Sequence, residues 1–185
     1  MVESFTRELT AVGGKVYRPP DADEAVQTVI QLLCAAGGNE ILTWNDSELL
    51  LPGLGKALGA AGLRRLEANL PEGDPEGRRT RLAELARATA GLTGATAGIA
   101  DTGSLALISG PGRPRLASLL PPVHIAVLSA QTLYPTMPAF FAAHPAAVRT
   151  SSNLVFVTGV SRTADIELAL TVGVHGPREV HVVLI

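Results

Sequence analysis

The sequence predicts an α/β fold: a parallel or mixed sheet within three layers. Two observations carry this expectation. Short runs rich in β-branched residues alternate with longer stretches of helical pattern along the chain, the order that builds parallel sheets. The last three runs read VHIAVL, LVFVTG and VHVVLI. They are nearly continuous apolar segments, as expected of strands covered on both faces.

Taken in order, strands are expected at residues 15–18, 40–44, 63–67, 98–109, 123–130, 153–159 and 179–185. Helices fall between them. The first, residues 21–36, begins with Asp21, Asp23 and Glu24 at the positive end of the helix dipole and stops at Gly37-Gly38. A second, residues 79–90, sets Arg81, Glu84 and Arg87 on one face and Leu82, Leu85 and Ala86 on the other. Two more are expected at 135–143 and 163–172. Residues 1–14 read as an N-terminal segment and 15–185 as one domain, since 185 residues suffice for one core and are short for two.

Composition excludes several classes. At 46% apolar and 17% charged residues the chain can bury enough surface to fold. A net charge of −2 argues against a nucleic-acid protein held by a broad basic surface. The start of the chain carries acids and no apolar run, and nowhere do about 18 apolar residues follow one another. No membrane span and a cytoplasmic location are therefore expected. One cysteine, Cys34, allows no internal disulfide and cannot hold an iron–sulfur cluster, which takes about four. It lies in the apolar pattern of the first helix and is expected to be buried packing.

Familiar sites are missing. Pro52-Gly53-Leu54-Gly55-Lys56-Ala57-Leu58-Gly59 imitates a dinucleotide loop, but Leu58 stands at the third glycine position. Gly55-Lys56 lacks the remainder of a P-loop. No paired cysteines or His-x-x-x-His suggest a metal, and no Gly-x-Ser-x-Gly elbow occurs.

Four segments carry possible chemistry. After the strand at 153–159, Gly159-Val160-Ser161-Arg162-Thr163-Ala164-Asp165-Ile166-Glu167 reads as a turn entering a helix. Ser161 or Thr163 would cap it, and Asp165 and Glu167 would suit its first turn. Arg162 is the misfit there, a cation at the end of a helix that repels cations, so the segment is either a plain cap or an anion site. Ala100-Asp101-Thr102-Gly103-Ser104 is either a turn within a long strand or a hydroxyl-rich ligand loop. Gly110-Pro111-Gly112-Arg113-Pro114-Arg115 offers two arginines on a stiff loop, either solvated or clamping a carboxylate or phosphate. Gly173-Val174-His175-Gly176-Pro177 holds a histidine with room to reach a ligand. His124 and His181 lie in apolar strands and read as core or surface residues, and His144 as a surface loop residue.

Together with Leu120-Pro121-Pro122-Val123-His124-Ile125, these segments resemble, in order and spacing, the LUD domain of the lactate-utilization family, from about residue 16 to residue 185. The resemblance implies a fold akin to the NagB/RpiA/CoA-transferase superfamily, a Rossmann-like three-layer sandwich with a central, mostly parallel sheet. It also implies a part in oxidising L-lactate to pyruvate within a protein complex, alongside partners that carry iron–sulfur clusters, with no cofactor in this chain. Where the family shows Ala-Glu-Thr-Gly-Thr, this chain has Asp101 and Ser104. The candidate ligand-binding residues are Thr102, Gly103, Ser104, Gly110, Gly112, Arg113, Gly159, Ser161, Arg162, Thr163, Asp165, Glu167 and Gly176. Asp101 and His175 are candidate proton carriers, and the ligand is a small carboxylate or phosphate. The alternatives are a stand-alone enzyme acting on a sugar phosphate or CoA ester, and a ligand-binding regulator without catalysis.

Overall fold

The computed structural model describes residues 1–164, 170–172 and 176–185. Six strands form its central sheet: β1 (Lys15–Tyr17), β2 (Glu40–Thr43), β3 (Arg64–Leu66), β4 (Ala90–Gly94), β7 (Val123–Leu128) and β12 (Glu179–Leu184). Their spatial order is β1-β12-β7-β4-β2-β3, and every neighbouring pair is parallel.

Parallel neighbours need crossovers, and crossovers are right-handed. Helices α2 (Ala22–Ala35) and α3 (Leu54–Ala60) lead the chain from β1 to β2 and outward to β3. Helices α4 (Pro75–Leu85) and α5 (Leu116–Leu119) lie on connections running the opposite way, from β3 back to β4 and from β4 to β7. One handedness therefore places α2 and α3 on one face of the sheet and α4 and α5 on the other, giving three layers.

The connections around β7 are long enough to hold a second, four-stranded sheet. It consists of β5 (Ala97–Ile99), β6 (Ser104–Ser109), β8 (Leu133–Tyr134) and β9 (Asn153–Val157), in the order β8-β5-β6-β9. Side chains of β6 alternate between two cores. Leu105 and Leu107 join the main core, while Ala106 and Ile108 pack with Phe140 of α6 (Met137–Ala143) and Ala147 of α7 (Ala147–Thr150).

The N-terminal segment is helical. In α1 (Val2–Ala11), Phe5 and Leu9 lie four residues apart on one face and are fully buried in the main core. Phe5→Ala should therefore cost about 3–5 kcal/mol, measured as a lower denaturant midpoint with an unchanged slope.

Several expectations are corrected by the structure. Residues 163–172 do not begin a helix: β10 (Arg162–Ala164) pairs antiparallel with β11 (Leu170–Val172). The described residues suit strands, with Thr163, Thr171 and Val172 β-branched, and residues 165–169 of the expected helix lie outside the described residues. Arg162 is thus a strand residue and not the first residue of a helix. The long strand at 98–109 is divided by a turn at 100–103 into the antiparallel pair β5 and β6. Cys34 is exposed. The helix expected at 79–90 begins and ends earlier, because Asp74 caps it by accepting the Gly77 N–H and Pro75 opens it.

The residues after that helix form the central strand β4, where no strand was expected. Its two glycines hide it, since glycine disfavours strands. A Cβ on Gly91 would lie 1.7 Å from the Ala117 carbonyl oxygen of α5, and one on Gly94 would lie 2.1 Å from the Glu48 carbonyl oxygen. Glycine at these positions lets two neighbouring backbones reach the sheet. Among the described residues, no helix is long and apolar enough to cross a membrane.

Candidate functional site

In open α/β sheets, ligands settle outside the carboxyl ends of the strands, where successive connections diverge. Here the chain leaves β2 outward to β3, and leaves β4 in the other direction to β7. The divergence lies between β2 and β4, and a crevice of about 610 Å³ opens beside it. Its walls are Thr43, Trp44 and Asn45 at and beyond the end of β2, residues 65–69 at and beyond the end of β3, and Gly110, Pro111, Gly112 and Pro114 beyond β6.

Local bonds hold these walls together. The Trp44 N–H continues the ladder to the Leu92 carbonyl, and the buried indole donates its Nε1–H to the Pro114 carbonyl at 3.3 Å. The Asn45 N–H donates to the Gly112 carbonyl at 2.8 Å, tying the glycine loop to the end of β2. The next residues form a 3₁₀ turn, Asp46–Glu48, whose two carboxylates hold two arginines. Asp46 accepts from Arg65 Nη2 at 2.5 Å, and Glu48 lies 3.8 Å from Arg113 Nε. That second distance is too long for a hydrogen bond, and the buried Arg113 Nε has no other partner. Arg113 folds back over Gly110. On the far wall, Asn69 Nδ2 donates to Glu67 Oε2 at 3.3 Å, while Arg81 of α4 donates to the Glu67 carbonyl at 2.6 Å.

Of the residues singled out by sequence, Gly110 and Gly112 line this crevice, and Arg113 lies on the same loop without lining it. A second group gathers at the other end of β6. Ser104 is buried and shares hydrogen bonds with Thr102 at 2.8 Å and Thr158 at 2.7 Å, a chain of three hydroxyls. Gly103 (φ +63°) lies against the backbone of Leu9, and Gly159 against that of Val12, both on the α1 side. The exposed Arg162 lies over Gly13, and Gly176 sits against Ser161, whose N–H donates to the Pro177 carbonyl. Asp101 is exposed beside this group.

Val12 and Gly13 precede β1, so this second group lies toward the amino ends of the parallel strands. The crevice lies at their carboxyl ends. Six residues of extended chain from Ser104 to Gly110 separate the two by about 20 Å. The candidates thus divide between two places, with Arg113 in one and Arg162 in the other. Asp165, Glu167 and His175 lie outside the described residues, as does the side chain of Thr163.

Sequence reasoning overlooked Trp44, Asn45, Arg65, Glu67 and Asn69. The available signal was position alone: each stands at or just beyond the carboxyl end of a strand that had been placed.

Two histidines are built into the sheet away from both groups. His124 is fully buried, with Nε2 2.9 Å from Thr93 Oγ1 and Nδ1 unpartnered. Burial, with a smaller contribution from His181, lowers its pKa to about 4. His181 stacks on Tyr17, with Nδ1 3.0 Å from the Tyr17 hydroxyl and Nε2 3.2 Å from Glu179. Burial lowers its pKa as well, against the raising effect of Glu179. His144, at the end of α6, meets the Tyr134 hydroxyl at 3.1 Å.

Residues 2–185 match the model of the LUD domain family. The chain is 32% identical over 181 residues to the lactate utilization protein C of Halalkalibacterium halodurans, covering 96% of this chain and 75% of that protein. It is 31% identical over 160 residues to the lactate utilization protein C of Geobacillus sp. strain WCH70, covering 84% of this chain but 66% of that protein's length. The fold is similar to the crystal structure of a DUF162 family protein from Deinococcus radiodurans. The TM-score is 0.70 at 24% identity, over 99% of this chain and 94% of the other.

Proposed function

This chain belongs to the LUD domain family, and on that premise we propose that it is a subunit of a lactate-utilization system, supporting oxidation of L-lactate to pyruvate beside iron–sulfur partner proteins. Its own contribution is to bind a small anion in the crevice at the carboxyl end of the sheet. The observation carrying this reading is the joining of Arg65 and the 110–114 loop around one 610 Å³ crevice beside the divergence of β2 and β4. Arg65 uses one N–H on Asp46 and has others for a ligand anion. The relatives' shared name supports the metabolic setting.

Oxidation of lactate removes two electrons and two protons, breaking the C–H and O–H bonds of the carbinol. The single cysteine of these 185 residues supplies no cluster ligand set, so the electrons pass to an iron–sulfur partner. The role of this chain is to position the reaction or bind an effector of it.

Deleting the gene should abolish growth on L-lactate, and the tagged protein should co-purify with cluster-bearing proteins. Unimpaired growth together with purification alone would sink the proposal. Arg65→Ala should weaken binding of inorganic phosphate, L-lactate or pyruvate about tenfold or more, the value of one charge-assisted hydrogen bond. The check is a thermal-shift or calorimetric titration, with melting of the unliganded variant as the control.

A further inference from the structure

The size and chemistry of the crevice go beyond a three-carbon acid. Lactate has six heavy atoms and fills only a small part of the 610 Å³ present. Pockets of about 300–1,000 Å³ suit considerably larger ligands. The lining is correspondingly varied: a guanidinium (Arg65), a carboxylate (Glu67), two amides (Asn45 and Asn69) and an apolar wall of Leu66, Pro111 and Pro114.

The position of Glu67 narrows the choice. β2, α3 and β3 form a strand–helix–strand unit with adjacent parallel strands, and Glu67 is the residue directly after β3. In nucleotide-binding units of this kind, an acid about 20 residues beyond the first strand accepts the ribose hydroxyls. Here Glu67 accepts one hydrogen bond from Asn69 at 3.3 Å, which orients the carboxylate. It is exposed and lines the crevice. The phosphate arrangement departs from that pattern, because ten residues separate β2 from α3 and the Pro52-Gly53 turn lies directly before the helix, away from the strand end. Among the described lining residues the cation is Arg65, adjacent to Glu67 across Leu66.

We infer that the crevice binds a ribonucleotide, with Glu67 accepting the ribose hydroxyls, Arg65 holding the phosphate, and Leu66, Pro111 and Pro114 packing the base. This rests on the reading of the crevice as the anion site and names the class of that anion. A ribonucleoside monophosphate has roughly four times the heavy atoms of lactate and so matches the space.

Trp44 is the sole tryptophan and lines the crevice, so its fluorescence reports occupancy directly. The test titrates the whole chain with AMP, 2′-deoxy-AMP, ribose 5-phosphate, inorganic phosphate and L-lactate. AMP is expected to bind at least tenfold more tightly than 2′-deoxy-AMP or ribose 5-phosphate. Glu67→Gln, an exposed position whose change should leave the circular dichroism spectrum intact, should erase the AMP preference while phosphate affinity stays the same. Equal binding of AMP and its deoxy form overturns the inference. Ribose 5-phosphate binding as tightly as AMP also overturns it, in favour of a sugar phosphate. Arg65-dependent quenching by phosphate or lactate without any by AMP defeats the ribonucleotide but leaves the anion site standing. Silence from every probe defeats both.

Discussion

Gly91→Ala should lower the free energy of unfolding by about 3–5 kcal/mol. The added Cβ would lie 1.7 Å from the Ala117 carbonyl oxygen and 2.8 Å from its carbon. A Cβ is fixed by the backbone, so no rotamer relieves the overlap, and interiors packed to crystal density have no slack. Either β4 shifts against β2 and β7, or α5 retreats from the sheet. Retreat of α5 would also draw back Pro114, whose carbonyl receives the Trp44 indole. The variant should therefore combine a lower urea midpoint with a changed Trp44 emission. A loss below about 1 kcal/mol would show that α5 yields freely, contrary to the close packing described for it.

Acidification should have an effect of similar size through His124. Its folded-state pKa lies near 4, against an ordinary 6.5, because burial disfavours the charged ring. Between these values the unfolded chain binds the extra proton and the folded chain does not. Stability is then full above pH 6.5, falls as the pH drops toward 4, and levels off below. At about 1.4 kcal/mol per pH unit the interval amounts to ~3 kcal/mol. His181, also lowered by burial, loses stability in the same direction on acidification. So does Glu179, a carboxylate held low first by its hydrogen bond from Lys15, as the pH falls through its pKa. Urea midpoints measured from pH 7.5 to 4.5 should slope down, and His124→Asn should flatten most of that slope. A profile level across the range in the parent protein would refute the assignment to His124.

The strands at 40–43, 123–128 and 179–184 were legible because buried parallel strands need nearly continuous apolar side chains, whereas the edge strands at 15–17 (Lys-Val-Tyr) and 64–66 (Arg-Arg-Leu) were placed by their alternation with helical stretches. Helix α2 was legible because Asp21 caps it by accepting the Glu24 N–H. β4 was not, since Gly91 and Gly94 answer to the approach of Ala117 and Glu48, neighbours distant in the chain. The β10–β11 pair was hidden for another reason: Ser161 and Thr163 read locally as a helix cap, whereas the backbone of β10 is paired with β11. Of the candidate site, the 110–115 loop was singled out by its own glycines and arginines. Arg65, Glu67 and Asn69 carry no local motif and drew no attention.

The sequence alone determined the class of fold and the family, because apolar periodicity, caps and the ordered glycine-bearing segments are written locally along the chain. Only the tertiary structure decided where a ligand can sit. The strand order set the divergence of β2 and β4, and β6, running the length of the sheet, carried the hydroxyl cluster to one end and the arginine loop to the other. The reason is physical: periodicity depends on neighbours in sequence, whereas a crevice is the space left between backbones that meet only after folding.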